Sequence, residues 1–137
     1  KQPMNYKSTQ LLKLSFLIGT IADGIIAITW FMIATGSDIQ NIMCGFNGSG
    51  VDYQYAMYIA ALFMTGWTGL LYWGGLKPNE RKGLLLITAI MLLVSIFIEV
   101  LFYHNILGER GFILGVAARL LLITKFSFSY YYSMKHQ

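Results

Sequence analysis

Residues 14–35 read LSFLIGTIADGIIAITWFMIAT, an apolar run interrupted by one charge, Asp23. A helix needs about 20 mostly apolar residues to cross the hydrocarbon core of a bilayer. This run meets that length, and its flanks help to define it. Lys7 and Lys13 precede it, and Ala34-Thr35-Gly36 loosely resembles the cleavage site of a secretory signal. A signal core, however, is usually about 7–15 residues long and lacks a mid-span acid. The segment therefore reads as a retained membrane span.

Three more stretches have the same character. Residues 53–76 carry no Asp, Glu, Lys or Arg, residues 83–102 carry only Glu99, and residues 112–132 carry Arg119 and Lys125. The whole chain is 56% hydrophobic and 12% charged, with a mean hydropathy of +0.58. A soluble domain normally carries roughly 25% charged residues. Unpaired backbone groups are not tolerated in lipid, and no two-residue alternation competes with helix. The expectation is an all-α integral membrane protein: one transmembrane domain over residues 1–137, folded as an up-down four-helix bundle. Lys77-Pro78-Asn79-Glu80-Arg81-Lys82 forms a tight hairpin between spans two and three, because Pro78 cannot continue a helix. Residues 104–111 form a second short link, and residues 36–52, rich in Gly, Asn and Ser, form a longer loop.

Basic residues orient the bundle, since cytoplasmic segments retain Lys and Arg. Lys1, Lys7, Lys13, Lys77, Arg81, Lys82 and Lys135 collect on one side, against Arg110 on the other. Both termini are thus expected in the cytoplasm, with the protein in the cell membrane. Trp30, Trp73, Tyr53, Tyr55, Tyr103 and Tyr130-Tyr131-Tyr132 fall near span ends, where amphipathic rings favour the headgroup region. The net charge of +4 forms no continuous basic stripe, so nucleic acid is not an expected partner. Cys44 is the single cysteine, so no internal disulfide forms and a Cys₄ or Cys₂His₂ metal site is ruled out by count. No cofactor is implied. Asn47-Gly48-Ser49 matches the glycosylation triplet, a short pattern that chance supplies readily.

The ionisable residues at lipid depth carry the functional reading. A charge at a helix centre costs about 2.5–3.5 kcal/mol on insertion scales, so each needs a partner or water. At about 1.5 Å per residue, Asp23 falls near the midplane. Arg119 lies below the outer surface, and Glu99 lies just under that surface. Arg119 is between the carboxylates in depth, so Asp23, Arg119 and Glu99 are expected to form one polar cluster. Ser15, Gly19, Asp23 and Ala27 share a face of span one, Gly115 and Arg119 a face of span four, and Met91, Ser95 and Glu99 a face of span three. Small residues on such faces let helices approach closely. Tyr58, Thr65 and Tyr72, seven residues apart, offer a hydroxyl-bearing stripe on span two. Lys125 is expected to extend toward the inner headgroups, His104 to be solvated, and Glu109-Arg110 to form a surface pair.

Two functions follow as expectations. One is a small oligomeric transporter or channel using the Asp/Arg/Glu cluster for an ion or small molecule. The other is a membrane-embedded ligand- or lipid-binding protein, or an accessory subunit of a larger membrane complex. The same cluster could equally serve only to lock helix register. Catalysis ranks below both, because the sequence has no His-Glu-x-x-His, no Gly-x-Ser-x-Gly and no histidine cluster. The run Gly66-Trp67-Thr68-Gly69-Leu70-Leu71-Tyr72-Trp73, followed by Lys77-Pro78-Asn79-Glu80-Arg81-Lys82-Gly83, is similar to a pattern in bacterial four-span membrane proteins. That likeness implies the fold and no activity. The signature motifs of small multidrug exporters, membrane glutathione transferases, sterol isomerases and fluoride channels do not match residue by residue.

Overall fold

The computed structural model describes residues 6–43, 45–46 and 48–136, with the side chain of Glu109 excepted. The expectations for Lys1, Cys44, Asn47 and the Glu109-Arg110 pair lie outside the described residues. The elements are α1 (Tyr6–Ala34), α2 (Val51–Leu76), the single helical turn α3 (Pro78–Arg81), α4 (Gly83–Ile98), a wider π-helical turn (Glu99–Tyr103) and α5 (Glu109–Lys135). No strand occurs among the described residues. Among the described residues, four helical stretches are long and apolar enough to cross a membrane: α1, α2, α4 with its π-helical turn, and α5 without its first residue. They support a membrane protein.

The helices outrun the apolar segments that announced them. α1 begins at Tyr6, eight residues before the hydrophobic run, and carries Lys7, Ser8, Thr9, Gln10 and Lys13 in its first turns. Hydropathy marks where a helix suits hydrocarbon, whereas the hydrogen-bond ladder extends as far as the backbone permits. Asn79 ties this polar end to the hairpin by donating from Nδ2 to Thr9 Oγ1 at 3.0 Å. Within the hairpin, Arg81 stacks over the Trp73 ring at 3.4 Å and donates to the Trp73 carbonyl.

α1 is the central helix. It packs along α2 on one side and α5 on another, while α4 leans on α5 and barely meets α2. One half of the bundle is closed by a core of Leu12, Phe16, Leu71, Leu85, Ala89 and Phe126. Close approach explains the closure. The Phe16 ring occupies the space that a Cβ on Gly74 would need, and a Cβ on Gly19 would lie 3.0 Å from Phe126 Cζ. Ser15 and Ser129, both fully buried, share a hydrogen bond of 2.6 Å between α1 and α5. Lipid gives helices little hydrophobic reason to associate, so small residues and interhelical hydrogen bonds carry the packing.

At the other end of α1, Gly36 takes a left-handed conformation (φ +94°) that stops the helix. Its N–H bonds to Ile33 O and that of Ser37 to Met32 O, the paired closure of a helix C-terminus. The following loop is organised by Asn41, only 8% exposed. Asn41 Oδ1 accepts from Trp30 Nε1 at 3.1 Å and from the Met43 N–H at 3.0 Å. The loop then presses on the start of α5, where a Cβ on Gly111 would come within 2.6 Å of Gly45 Cα. Two glycines are required at that crossing.

Candidate functional site

Because α2 and α4 hardly touch, the half of the bundle beyond the core is split. A crevice of about 390 Å³ occupies the gap, within the range of small-molecule sites, roughly 300–1,000 Å³. α1 supplies Asp23 and Trp30, α2 supplies Ala60, Phe63, Met64 and Trp67, and α4 supplies Thr88, Met91, Leu92 and Ser95. Met43 reaches in from the loop that Asn41 holds. Phe63 (77% exposed) and Met91 (60%) stand at the mouth, while Asp23 and Thr88 are the most deeply buried lining residues. Phe63 and Met91 both lie midway along their helices, which puts the mouth on the flank of the bundle.

The polar side chains lining the crevice divide sharply. Trp30 donates to Asn41, and Trp67 Nε1 donates to Thr88 Oγ1 at 3.1 Å. The Thr88 hydroxyl in turn donates to Leu84 O at 2.7 Å. The Ser95 hydroxyl donates to Leu92 O at 2.8 Å and accepts from Arg119 Nη1 at 3.0 Å. Asp23, 7% exposed, has no hydrogen bond or ion pair among the described residues. Buried polar groups are nearly always paired, and an unpaired one calls for an explanation.

Arg119 has a different environment. It is 3% exposed and donates from Nη2 to Glu99 Oε2 at 2.6 Å, besides bonding Ser95 Oγ and Gly115 O. Glu99 opens the π-helical turn, and such turns gather at functional or strained positions. The expected three-membered cluster is thus divided: Arg119 and Glu99 neutralise one another, no ion pair joins Arg119 to Asp23, and Ser95 alone belongs to both the pair and the crevice.

The i+4 face of α1 lies inside the bundle, with Ser15, Gly19, Asp23 and Ala27 all buried, as are Gly115 and Arg119 of α5. On α4, by contrast, Met91 is exposed. Tyr58 and Tyr72 are 45% and 64% exposed, Thr65 is exposed with its hydroxyl bonded to Ala61 O, and none of the three lines the crevice. A seven-residue spacing identifies one face of a helix without saying which way it turns. The inward face of α2 is instead Met57, Ala61, Leu71 and Gly74. Lys125 is half-buried and His104 exposed. Sequence reasoning missed Trp67, Met64 and Asn41. For Met64 and Trp67 the signal was their spacing of three residues, which puts them on one face of α2; for Asn41, one of several polar residues in the loop, the sequence carried none. No group of His, Cys, Asp and Glu among the described residues is placed to hold a metal.

Compared with protein-family models, curated proteins and solved structures, the chain matches none.

Proposed function

We propose that this chain is a multi-pass membrane protein that takes a small amphiphilic molecule from the bilayer into the crevice at Asp23. One observation carries the reading. The crevice opens between α2 and α4, and among the described lining residues the one polar side chain left without a partner is that of Asp23, a residue more than nine-tenths buried. An ionisable group within an apolar span is by default a candidate functional residue. The Arg119–Glu99 pair is then a brace that holds α5 against the end of α4.

In this reading the helices alternate in direction. Both termini and the 77–82 hairpin lie in the cytoplasm of the cell that carries the protein, following the bias of Lys7, Lys13, Lys77, Arg81, Lys82 and Lys135 against Arg110. The test is lipid-phase photolabelling. A small hydrophobic carbene precursor dissolved in the bilayer should label Phe63, Met64 and Met91 above the exposed apolar residues outside the crevice. Ala60→Trp, which fills the crevice, should remove the excess. Even labelling along all outward faces would defeat the proposal.

Transport is a second reading, favoured by the mid-helix position of the unpaired Asp23. The crevice would be the loaded site. Four helices enclose little volume, so any continuous path for an ion would run between copies of the chain. Flux in proteoliposomes that Asp23→Asn leaves unchanged would remove Asp23 from such a cycle.

A further inference from the structure

We infer that the ligand of the Asp23 crevice is a lipophilic organic cation: an amine or quaternary ammonium on an aromatic or branched apolar body. This rests on the crevice being a binding site, and it adds the charge and character of the occupant.

Charge balance comes first. Among the described residues, two acidic groups and one basic group lie in or directly behind the crevice wall: Asp23, Glu99 and Arg119. Arg119 is matched by Glu99 at 2.6 Å, with Ser95 between the pair and the crevice. Asp23 is left over. Withdrawing an ion from water without a partner costs several kcal/mol, and a cation beside it offsets much of that. An anionic ligand would meet Asp23 unfavourably.

Donor supply narrows the choice. The hydroxyl protons of Thr88 and Ser95 and the indole protons of Trp30 and Trp67 are all committed within the protein. A ligand rich in acceptors, such as a phosphate or sulfonate ester, therefore finds no free side-chain donor among the described lining residues. A ligand that brings a positive charge needs none.

The walls suit the same occupant. Trp30, Trp67 and Phe63 supply aromatic surface, and a cation over an indole face is attracted by the negative face of the ring. The Trp30 and Trp67 rings are held by their N–H bonds, so that surface is preformed. Met43, Met64 and Met91 supply flexible, polarisable thioethers that adapt to irregular apolar shapes. Recognition would then depend on charge and bulk more than on outline.

The experiment compares two ligands of one shape. Tritiated benzyldimethylhexylammonium and its uncharged isostere, with carbon in place of nitrogen, are equilibrated with the full chain in dodecyl maltoside micelles. Protein-free micelles are subtracted. The cation should bind saturably and about tenfold or more tightly than the isostere, the lower end of what a close, partly desolvated charge pair contributes. Asp23→Asn should abolish that preference, Asp23→Glu should retain most of it, and Ala60→Trp should abolish saturable binding of both. Circular dichroism and gel filtration establish that each variant is folded, and Asp23→Glu and Ala60→Trp decide the matter if Asp23→Asn is not. Equal binding of the two ligands, lost in Ala60→Trp, would overturn the cation and leave the crevice standing as a site. A preference that survives Asp23→Asn would overturn the role of this carboxyl. Absence of saturable binding, or binding indifferent to Ala60→Trp, would overturn both this inference and the reading beneath it.

Discussion

Arg119 and Glu99 meet at 2.6 Å across α5 and the π-helical turn that ends α4, with side chains 4% and 18% exposed. Removing one member leaves the other uncompensated at lipid depth, whereas removing both leaves an apolar contact. Breaking a buried pair costs about 3–5 kcal/mol, while replacing both partners by apolar residues is often neutral or better. Glu99→Leu and Arg119→Met should each lower the midpoint of denaturation in mixed micelles containing SDS. The double variant should recover most of the loss. Strictly additive losses would show that the pair does not act as a brace.

Asp23 should behave in the opposite way. It has no partner to lose, and a carboxyl at a helix centre opposes insertion by about 2.5–3.5 kcal/mol. Asp23→Leu is expected to leave stability unchanged or raise it by roughly 1–3 kcal/mol while abolishing ligand binding, the usual trade at a functional site. The same SDS titration, run without ligand, measures the stability. A loss as large as that of Arg119→Met would make Asp23 a structural residue.

Gly74 marks a close approach of α2 to α1. The Phe16 ring stands where a methyl group would go, and Phe16 itself is 1% exposed within the core. Overpacking of this kind costs typically 1–3 kcal/mol. Gly74→Ala should destabilise by about that amount, and Phe16→Leu in the same chain should restore part of it. Gly66, whose added Cβ would meet nothing within 4 Å, is the control: Gly66→Ala should be harmless or slightly stabilising. Equal losses at the two glycines would mean that helix propensity, not packing, governs this contact.

Asn41 joins the loop to Trp30 and thereby closes one end of the crevice. Its side-chain oxygen accepts two hydrogen bonds, from the Trp30 indole and the Met43 amide. Asn41→Leu orphans both donors, at a cost of about 1–3 kcal/mol for each that stays buried. The Trp30 indole should become more exposed, seen as a red shift and stronger iodide quenching in a Trp67→Phe, Trp73→Phe background. An unchanged spectrum would show that the loop holds its place without Asn41.

Much of the fold was legible because the signal is additive along the chain. Each span announces itself by some twenty apolar residues, and lipid leaves an isolated span no conformation except helix. The buried face of α1 was equally readable, because Ser15, Gly19, Asp23 and Ala27 repeat at the helical period and are small or polar where lipid would reward bulk. Residues 58, 65 and 72 had the same regularity, and they turned outward. Regular spacing holds for every face of a helix, and only contact with a neighbour selects one.

Residue order alone dictates that four helical segments of this length exist, where they are interrupted, and that Asp23, Glu99 and Arg119 have to be reconciled with apolar surroundings. The tertiary structure decided how. It paired Arg119 with Glu99, set α2 apart from α4, and left Asp23 facing the space between them. Pairing and separation depend on distances between residues far apart in the chain, set by where Phe16 meets Gly74 and where Ser15 meets Ser129. Hydropathy is a property of each residue alone and contains no such distances.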